Sequence, residues 1–244
     1  MWVDAATFAV SAALIAWFVP SGLVGQEGGT EEMGVSSARR YLTELAGGMR
    51  SVRGDLLILS MILVVTVANL LDDPLISVIL PVFAKAEYGS AVGVGLILGG
   101  FGAGAVAGTL LFGAVGHRLP RRLTFIISFV AAGPTPYLVV AVSPALPVTV
   151  GLFALEGLLA GPLNPLISTV MLERIPQEMR GRILGVTGAL AMAGIPFGAL
   201  VGGFLVEGVG LRPTVIAMGI CYPGLTLSMF FNPALREMEA AKSR

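Results

Sequence analysis

The sequence has little charge, a single cysteine and a single histidine. Only 12% of its 244 residues are Asp, Glu, Lys or Arg, whereas roughly a quarter is typical of a soluble domain. Cys221 is alone, which excludes an internal disulfide and a cysteine-based metal site, and we expect no metal and no cofactor. Fifteen basic residues balance fifteen acidic ones, so the absence of net charge argues against a nucleic-acid partner.

The chain contains several long runs of apolar residues. Hydrophobic residues make up 55% of the chain, and the mean hydropathy is +0.89. Several runs reach the roughly 20 apolar residues that one membrane crossing needs. We therefore predict an all-α, polytopic membrane protein with the lipid bilayer as its surroundings. Seven spans are expected, over residues 3–19, 56–83, 91–116, 123–142, 147–172, 183–206 and 213–231.

The basic residues alternate along the chain. Thirteen of the fifteen Lys and Arg residues lie in every second polar gap, and only Lys85 and Arg212 lie in the gaps between. Cytoplasmic loops are the ones enriched in Lys and Arg. The pattern predicts a multi-pass protein of the cell membrane with a cytoplasmic C-terminus. Because the first span has no basic residues before it and four arginines after it, a membrane helix explains it better than a signal peptide does.

One long polar segment, residues 21–55, separates the first span from the second. It opens with a Gly- and Glu-rich stretch typical of a flexible linker. Leu42, Leu45, Met49 and Val52 then follow at helical spacing. This pattern predicts an amphipathic helix that either lies on the membrane surface or is an ordinary solvated linker helix.

The six later spans form two related sets of three. The third and sixth spans carry glycine at four-residue intervals, and such stripes let another helix backbone approach closely. The second and fifth spans contain predicted helix breaks, at 72–74 and 161–165. Successive sets of three run in opposite directions through the membrane, so the pattern predicts an inverted repeat. Matched helix breaks in such a repeat indicate a transporter binding site.

The turn after the third span reads GAVGHRLPRR, from Gly113 to Arg122. It resembles the G-x-L-A-D-R-x-G-R-R loop of the major facilitator superfamily, with His117 and Pro120 where that loop has Asp and Gly. The sixth span has glycines spaced as in the family's antiporter motif, with Ala199 where a proline is expected. Those glycines are Gly185, Gly194, Gly198, Gly202 and Gly203. Residues 176–182 are also similar to the family's turn between helices ten and eleven.

The chain as a whole is similar to the C-terminal half of a major facilitator transporter of the multidrug and macrolide efflux branch. The resemblance implies helix six of the family at 1–20, the central cytoplasmic loop at 21–55, a six-helix bundle at 56–232 and a cytoplasmic tail at 233–244. It also implies that an N-terminal half is missing and acts as a partner. An N-terminal half would not place one helix and a 35-residue polar segment before six further spans.

Acidic residues within the spans are the first candidates for function. A charged side chain in the bilayer centre costs on the order of 3 kcal/mol, so it persists where it faces a cavity or a partner. An apolar environment also favours the protonated form of a carboxyl group, which suits a proton carrier. The candidates for proton or substrate binding are Asn69, Asp72, Asp73, Glu156 and Asn164.

Two of these assignments have structural alternatives. Asp73 precedes Pro74, so it is also a candidate cap for an outer half-helix. Thr66, Asn69, Asp73 and Ser77 share one helix face. Such a polar stripe belongs either to a wet cavity or to hydrogen bonds between helices.

The basic turns have two explanations as well. Orientation in the membrane explains them without further function. Alternatively they close the cytoplasmic side by pairing with helix ends and with acids such as Glu173 and Glu178. The gate candidates are Gly113, Arg118, Arg121, Arg122, Arg180 and Arg182.

These features predict proton-coupled efflux of small hydrophobic or amphiphilic substrates by alternating access. Two alternatives stay open: a transport-inactive truncated protein that only packs with partners, and a membrane-embedded enzyme. An enzyme is disfavoured because no nucleophile–base pair and no second aspartate-rich segment accompanies Asp72 and Asp73.

Overall fold

A computed structural model describes residues 35–90 and 92–240, together with Val10, Ser11, Leu14 and Trp17 nearer the start. Those four positions are helical, but the rest of the predicted first span lies outside the described residues. The chain divides into two compact units, 1–43 and 44–244. The six later spans belong to the second unit.

The described residues form eight helices. The helix α1 is Val35–Gly54 and the short C-terminal helix α8 is Glu237–Ala240. Between them six helices are long and apolar enough to cross a membrane. They are α2 (Leu56–Tyr88), α3 (Val92–Arg118), α4 (Arg121–Val142), α5 (Leu146–Arg174), α6 (Gln177–Val209) and α7 (Leu211–Phe231). The predicted all-α, polytopic fold is confirmed, with the boundaries of the six later spans placed to within about six residues.

The glycine stripes lie at the closest helix contacts. On α3, a Cβ added to Gly100 would meet the backbone oxygen of Val150 at 2.9 Å, and at Gly104 or Gly108 it would overlap the backbone of α5. The stripe on α6 meets α2 in the same way. There, Gly194 and Gly198 face the carbonyl oxygens of Thr66 and Leu70. The third span therefore packs on the fifth span, and the sixth span packs on the second. The second helix of each three-helix set thus contacts the first helix of the other set, as expected of an inverted repeat.

Gly185 and Gly203 do not share this role. A Cβ at either position would have open space around it. Of the five antiporter-like glycines, Gly194, Gly198 and Gly202 therefore contact α2, and the other two do not.

Of the two predicted helix breaks, one is present and the other is not. The break in α5 is at Gly161, as expected. In contrast, α2 continues through Pro74 into a π-helical turn, Leu75–Ile79. Two further breaks were not predicted, at Gly133 in α4 and at Ala193 in α6.

The continuous α2 corrects the role suggested for Asp73. Since Pro74 lies inside the helix, Asp73 has no half-helix to cap. It accepts the hydroxyl of Ser77, with 3.2 Å between Ser77 Oγ and Asp73 Oδ2. The helix is able to continue because a π turn shifts the hydrogen-bond register by one residue.

The described apolar side chains of α1 pack on protein. Val52 is fully buried, and Leu45 and Met49 pack on the cluster formed with Ile58 and Ile183. At Gly48 an added Cβ would lie 2.9 Å from Val186 Cγ2. For residues 45–52 the membrane-surface interpretation is therefore wrong, because their apolar face is covered by the helix bundle.

Candidate functional site

A cavity of about 350 Å³ lies between the second, third, fourth and fifth spans, with Tyr222 of the seventh also lining it. Four of the five predicted binding residues line it: Asn69, Asp72, Glu156 and Asn164. Asp73 does not. The four residues come from α2 and α5, the two helices in which the sequence analysis expected the site.

Glu156 is the most unusual of these residues. It is buried, with 7% of its surface exposed. Its Oε2 atom is fully buried and has no hydrogen-bond partner among the described residues. Unpaired buried polar groups are rare and call for a functional or solvent explanation. A water molecule or a substrate group in the cavity would supply the missing partner.

Asp72 has one partner that the sequence did not reveal. The hydroxyl of Tyr222 on α7 donates to Asp72 Oδ1, and this hydroxyl also lies 3.4 Å from the carbonyl oxygen of Ala68. No described Lys, Arg or His lines this cavity. The two cavity acids therefore have no cation beside them to hold them in the charged form.

A second tyrosine, Tyr137, contacts the backbone of α2 just before the π turn. Because the amide of Leu75 bonds to the carbonyl of Asp72, the carbonyl of Leu71 loses its usual partner four residues on. The hydroxyl of Tyr137 on α4 donates to it. A side chain thus satisfies a backbone group that the irregular helix leaves free.

Two residues of the polar stripe on α2, Thr66 and Asn69, form hydrogen bonds to α6. Thr66 Oγ1 lies 2.9 Å from the carbonyl oxygen of Leu190, and Asn69 Nδ2 lies 2.8 Å from that of Ala191. Both carbonyls directly precede the break in α6 at Ala193, whose own amide bonds to the carbonyl of Leu190 at 3.1 Å. Thr66 therefore serves packing, whereas Asn69 both bridges to α6 and lines the cavity.

The walls of the cavity are otherwise apolar. Phe101, Phe129 and Phe153 line it together with aliphatic side chains of α2 and α5. Thr109 closes the break in α5 by donating to the carbonyl of Gly161 at 3.0 Å. An apolar cavity with a few convergent polar groups is the usual form of a small-molecule site.

A second polar region lies at one end of the bundle. The basic end is defined here by Arg118, Arg121, Arg122, Arg174 and Arg180. Arg121 and Glu173 form a two-point ion pair, with Nη1–Oε2 at 2.6 Å and Nη2–Oε1 at 2.8 Å. Glu173 was the predicted partner. Glu178, the other predicted acid, is exposed.

The remaining gate candidates contact helix ends or lie beside them. Arg180 donates to the carbonyl of Leu172 at 3.1 Å, and Arg122 to that of Phe230 at 2.7 Å. Arg118 Nε lies 3.1 Å from His117 Nε2. Gly113 lines a shallow groove beside Arg121. Arg182 lies near the start of α6, and its carbonyl oxygen faces Gly48 of α1.

Arg174 links three segments, a role that the sequence analysis missed. It contacts Asp55 at 2.8 Å and Glu237 at 2.9 Å. Asp55 also caps α2 by accepting the amides of Leu57 and Ile58. The spacing of Asp55 before an apolar run was an available signal for the cap, whereas the pairing over more than a hundred residues was not readable from the chain.

Among the described residues, no group of three or more His, Cys, Asp or Glu side chains is arranged to hold a metal ion. The exposed apolar residues of α3 and α6 face outward, as a lipid-facing surface requires. They include Leu96, Val106, Leu110, Phe197, Leu200 and Phe204.

Comparison with known proteins places the chain among transporters. Residues 62–242 match the model of the Major Facilitator Superfamily. The chain is 30% identical over 241 residues to the multidrug efflux pump Tap of Mycobacterium tuberculosis. This match covers 99% of the chain and 56% of that protein. It is also 30% identical over 246 residues to the multidrug efflux pump Tap of Mycolicibacterium fortuitum, covering 99% and 57%. The chain therefore spans little more than half the length of these relatives. No solved structure gives a significant match.

Proposed function

The chain belongs to the major facilitator superfamily, and from that premise we propose that its six-helix unit is the C-terminal half of a proton-coupled multidrug exporter. The family is one of transporters, so the enzyme alternative is excluded. The proposed substrates are small hydrophobic or amphiphilic compounds. The proposed site is the cavity lined by Asn69, Asp72, Glu156 and Asn164.

The observation that carries this proposal is the state of the two cavity acids. Glu156 has a buried oxygen to which no described residue is hydrogen-bonded, and Asp72 accepts a hydrogen bond from a neutral hydroxyl. Holding such groups in a membrane-spanning unit costs free energy that a purely structural role does not repay. A carboxyl group that gains and loses a proton during each transport cycle accounts for both residues.

The direction of transport is proposed from the relatives. Both are named multidrug efflux pumps and match the chain over 99% of its length. The apolar cavity walls, with three phenylalanines, suit hydrophobic compounds of varied shape better than a single polar nutrient. Export of such compounds is the function that the cavity supports best.

We propose that a second six-helix unit completes the carrier. Alternating access in this family moves one half against the other around a site near the bilayer midplane. The described unit supplies one wall of that site, with Asp72 and Glu156 facing the cavity. The chain alone is expected to give no saturable, gradient-driven flux, so it serves as the negative control in transport assays.

The basic end is the proposed cytoplasmic gate. The ion pair of Arg121 with Glu173 links α4 to α5, and Arg174 links α5 to α2 and α8. These contacts join helix ends that a transporter must hold together while its cytoplasmic side is closed. In water-exposed positions each pair contributes only about 0–1 kcal/mol, which suits contacts that break once per cycle.

The cavity acids can be tested by neutral substitution. The complete carrier would be reconstituted in liposomes, and uptake of ethidium driven by a pH gradient would be measured. Asp72→Asn and Glu156→Gln remove the titrating group with little change in shape, so gradient-driven transport should be lost while ethidium binding remains. Asp73→Asn is the matched control, since Asp73 lies outside the cavity, and it should transport normally.

Wild-type transport in both Asp72→Asn and Glu156→Gln would rule out these acids as essential proton carriers. Loss of transport in Asp73→Asn as well would show that the substitutions act through helix α2 as a whole. Absence of transport in the complete reference carrier would favour a protein that only packs with partners.

We further propose that the basic end faces the cytoplasm in the cell membrane. The segregation of thirteen basic residues from two supports this orientation. In a Cys221→Ser background, cysteines at Ser90 and Ser143 should react with an impermeant maleimide added to intact cells. Cysteines at Ser36 and Gln177 should react only after the cells are opened. Labelling of Gln177→Cys from outside would invert the assignment.

A further inference from the structure

The two acids of the central cavity have different surroundings. Glu156 on α5 is buried, and no described residue is hydrogen-bonded to its Oε2 atom. Asp72 on α2 is half-buried and accepts a hydrogen bond from the hydroxyl of Tyr222. The same cavity therefore contains one carboxyl group that has a hydrogen-bond donor and one whose buried oxygen has none among the described residues.

This difference separates the two acids chemically. A donor that points at a carboxylate stabilises the charged form, whereas burial without a donor favours the neutral form. Burying an unpaired charge costs far more than burying an unpaired neutral polar group. Two charged carboxylates in one apolar cavity would also repel each other. A single proton in the cavity is therefore expected on Glu156, with Asp72 left as the carboxylate.

The other helices around the cavity add no charge that would reverse this order. In the described part of the chain, α3 and α4 contribute only apolar residues, glycine and Thr109 to the cavity wall, and α6 contributes no residue. The hydroxyl of Tyr137 on α4 donates to the carbonyl of Leu71 and not to an acid. Asp73 lies outside the cavity. Besides the two acids, Tyr222 is the one titratable residue described in the cavity lining.

The place of the Tyr222 hydroxyl is set by the packing of its ring. The side chain is buried, and the ring occupies the space that a Cβ at Gly133 would need. The ring of Tyr137 lies 6.0 Å away between centroids. The hydroxyl is thereby held beside Asp72, and it also lies 3.4 Å from the carbonyl oxygen of Ala68. It has two acceptors within reach and only one proton to donate.

We propose that Tyr222 is a positioning residue that decides which cavity acid holds the proton in the substrate-free carrier. Its hydroxyl keeps Asp72 in the carboxylate form, and the proton resides on Glu156. When Asp72 takes up a proton later in the transport cycle, the hydroxyl turns to the carbonyl of Ala68, so the buried donor stays paired. This inference rests on the proposed function and adds the order of protonation, with Glu156 first and Asp72 second.

The assignment can be tested without measuring transport. The complete carrier would be reconstituted in liposomes at neutral pH without substrate, and protonated carboxyl groups would be detected by the infrared band of their C=O stretch. In difference spectra against the reference protein, Glu156→Gln should lose one such band, and Asp72→Asn should lose none. Acids elsewhere in the carrier contribute equally to all spectra and cancel in the differences.

Two tyrosine variants test the positioning role. Tyr222→Phe keeps the ring and removes the hydroxyl, so the band of one further protonated carboxyl group should appear. That band should be absent from Tyr222→Phe/Asp72→Asn, which would identify it as Asp72. Tyr137→Phe is the matched control, because it removes a neighbouring hydroxyl that donates to a backbone carbonyl. Its spectrum should match that of the reference protein in this region.

Three outcomes would overturn the proposal. An unchanged band in Glu156→Gln would show that this acid holds no proton, and a band lost in Asp72→Asn would place the proton on the other acid. Equal spectra of Tyr222→Phe and the reference protein, or the same new band in Tyr137→Phe, would remove the special role of Tyr222. If the bands follow the prediction while Asp72→Asn and Glu156→Gln both export normally, the proposed function fails and the proton assignment stands.

Discussion

The central cavity and the basic end use acidic side chains in opposite ways. At the basic end, Glu173 and Asp55 are bound to Arg121 and Arg174 at 2.6–2.8 Å. In the cavity, Asp72 has only a tyrosine hydroxyl, and one oxygen of Glu156 has no partner among the described residues. An acid beside an arginine stays charged and holds two segments together. An acid without a cation is free to change its protonation state, which is what a coupling site requires.

The two regions are also held together differently. Around the cavity, helices touch backbone to backbone along the glycine stripes, as Gly104 does on the carbonyl of Ala154. At the basic end, long side chains bridge helix ends that lie farther apart. Packed backbones tolerate no added atom, whereas exposed ion pairs can break and re-form. The middle of the unit is therefore expected to be rigid, and the basic end adjustable.

Gly104→Ala should have the largest effect on stability. Its Cβ would overlap the Ala154 carbonyl, and overpacking of this kind costs about 1–3 kcal/mol or more. The matched control is Gly102→Ala on the same helix, where a Cβ meets nothing within 4 Å. That variant should be neutral or slightly stabilising, since alanine favours a helix by about 1 kcal/mol over glycine.

Thermal unfolding in detergent micelles checks this pair. A clear fall in the midpoint for Gly104→Ala with none for Gly102→Ala would support a rigid backbone contact between α3 and α5. Equal midpoints for the two variants would show that the contact is looser than the structure has it.

Asp55→Ala should have a smaller effect, confined to the basic end. The change removes the cap of α2 and one partner of Arg174, and loss of a cap costs about 1 kcal/mol. Asp55→Asn separates the two contributions, because asparagine caps equally well but carries no charge. We expect Asp55→Asn to keep most of the unfolding midpoint that Asp55→Ala loses.

The comparison would be weakened if Asp55→Asn were as unstable as Asp55→Ala. The ion pair with Arg174 would then contribute more than an exposed pair normally does. The basic end would be a fixed structural element instead of an adjustable one.

Much of the fold was predictable because local sequence patterns are enough to predict membrane helices. Apolar length predicted the six spans, and glycine spacing predicted which helix faces another backbone approaches closely, although not which helix supplies that backbone. The break in α5 followed from adjacent Gly161 and Pro162. The continuity of α2 did not, because Pro74 is accommodated by a π turn and by the Tyr137 hydroxyl from another helix. Local sequence cannot show a partner that lies 66 positions away.

The site was predictable to the same degree and for the same reason. An acid within an apolar run is visible in the sequence, so Asp72 and Glu156 were found. Which of two adjacent aspartates faces the cavity depends on helix rotation, so the sequence named both, and only Asp72 lines the cavity. Tyr222 escaped notice because a tyrosine in an apolar run is ordinary until its hydroxyl is seen to bind an acid.

The most direct test of the account is a count of protons released when a substrate binds. The complete carrier would be purified in weakly buffered detergent solution, and ethidium would be added in the presence of a pH-sensitive dye. The account predicts proton release from the reference protein, with the release lost in the double variant Asp72→Asn/Glu156→Gln. The variant Glu173→Gln, which neutralises an acid of the basic end, should release as many protons as the reference protein. Equal release from the double variant and the reference protein would contradict the claim that the cavity acids carry the proton.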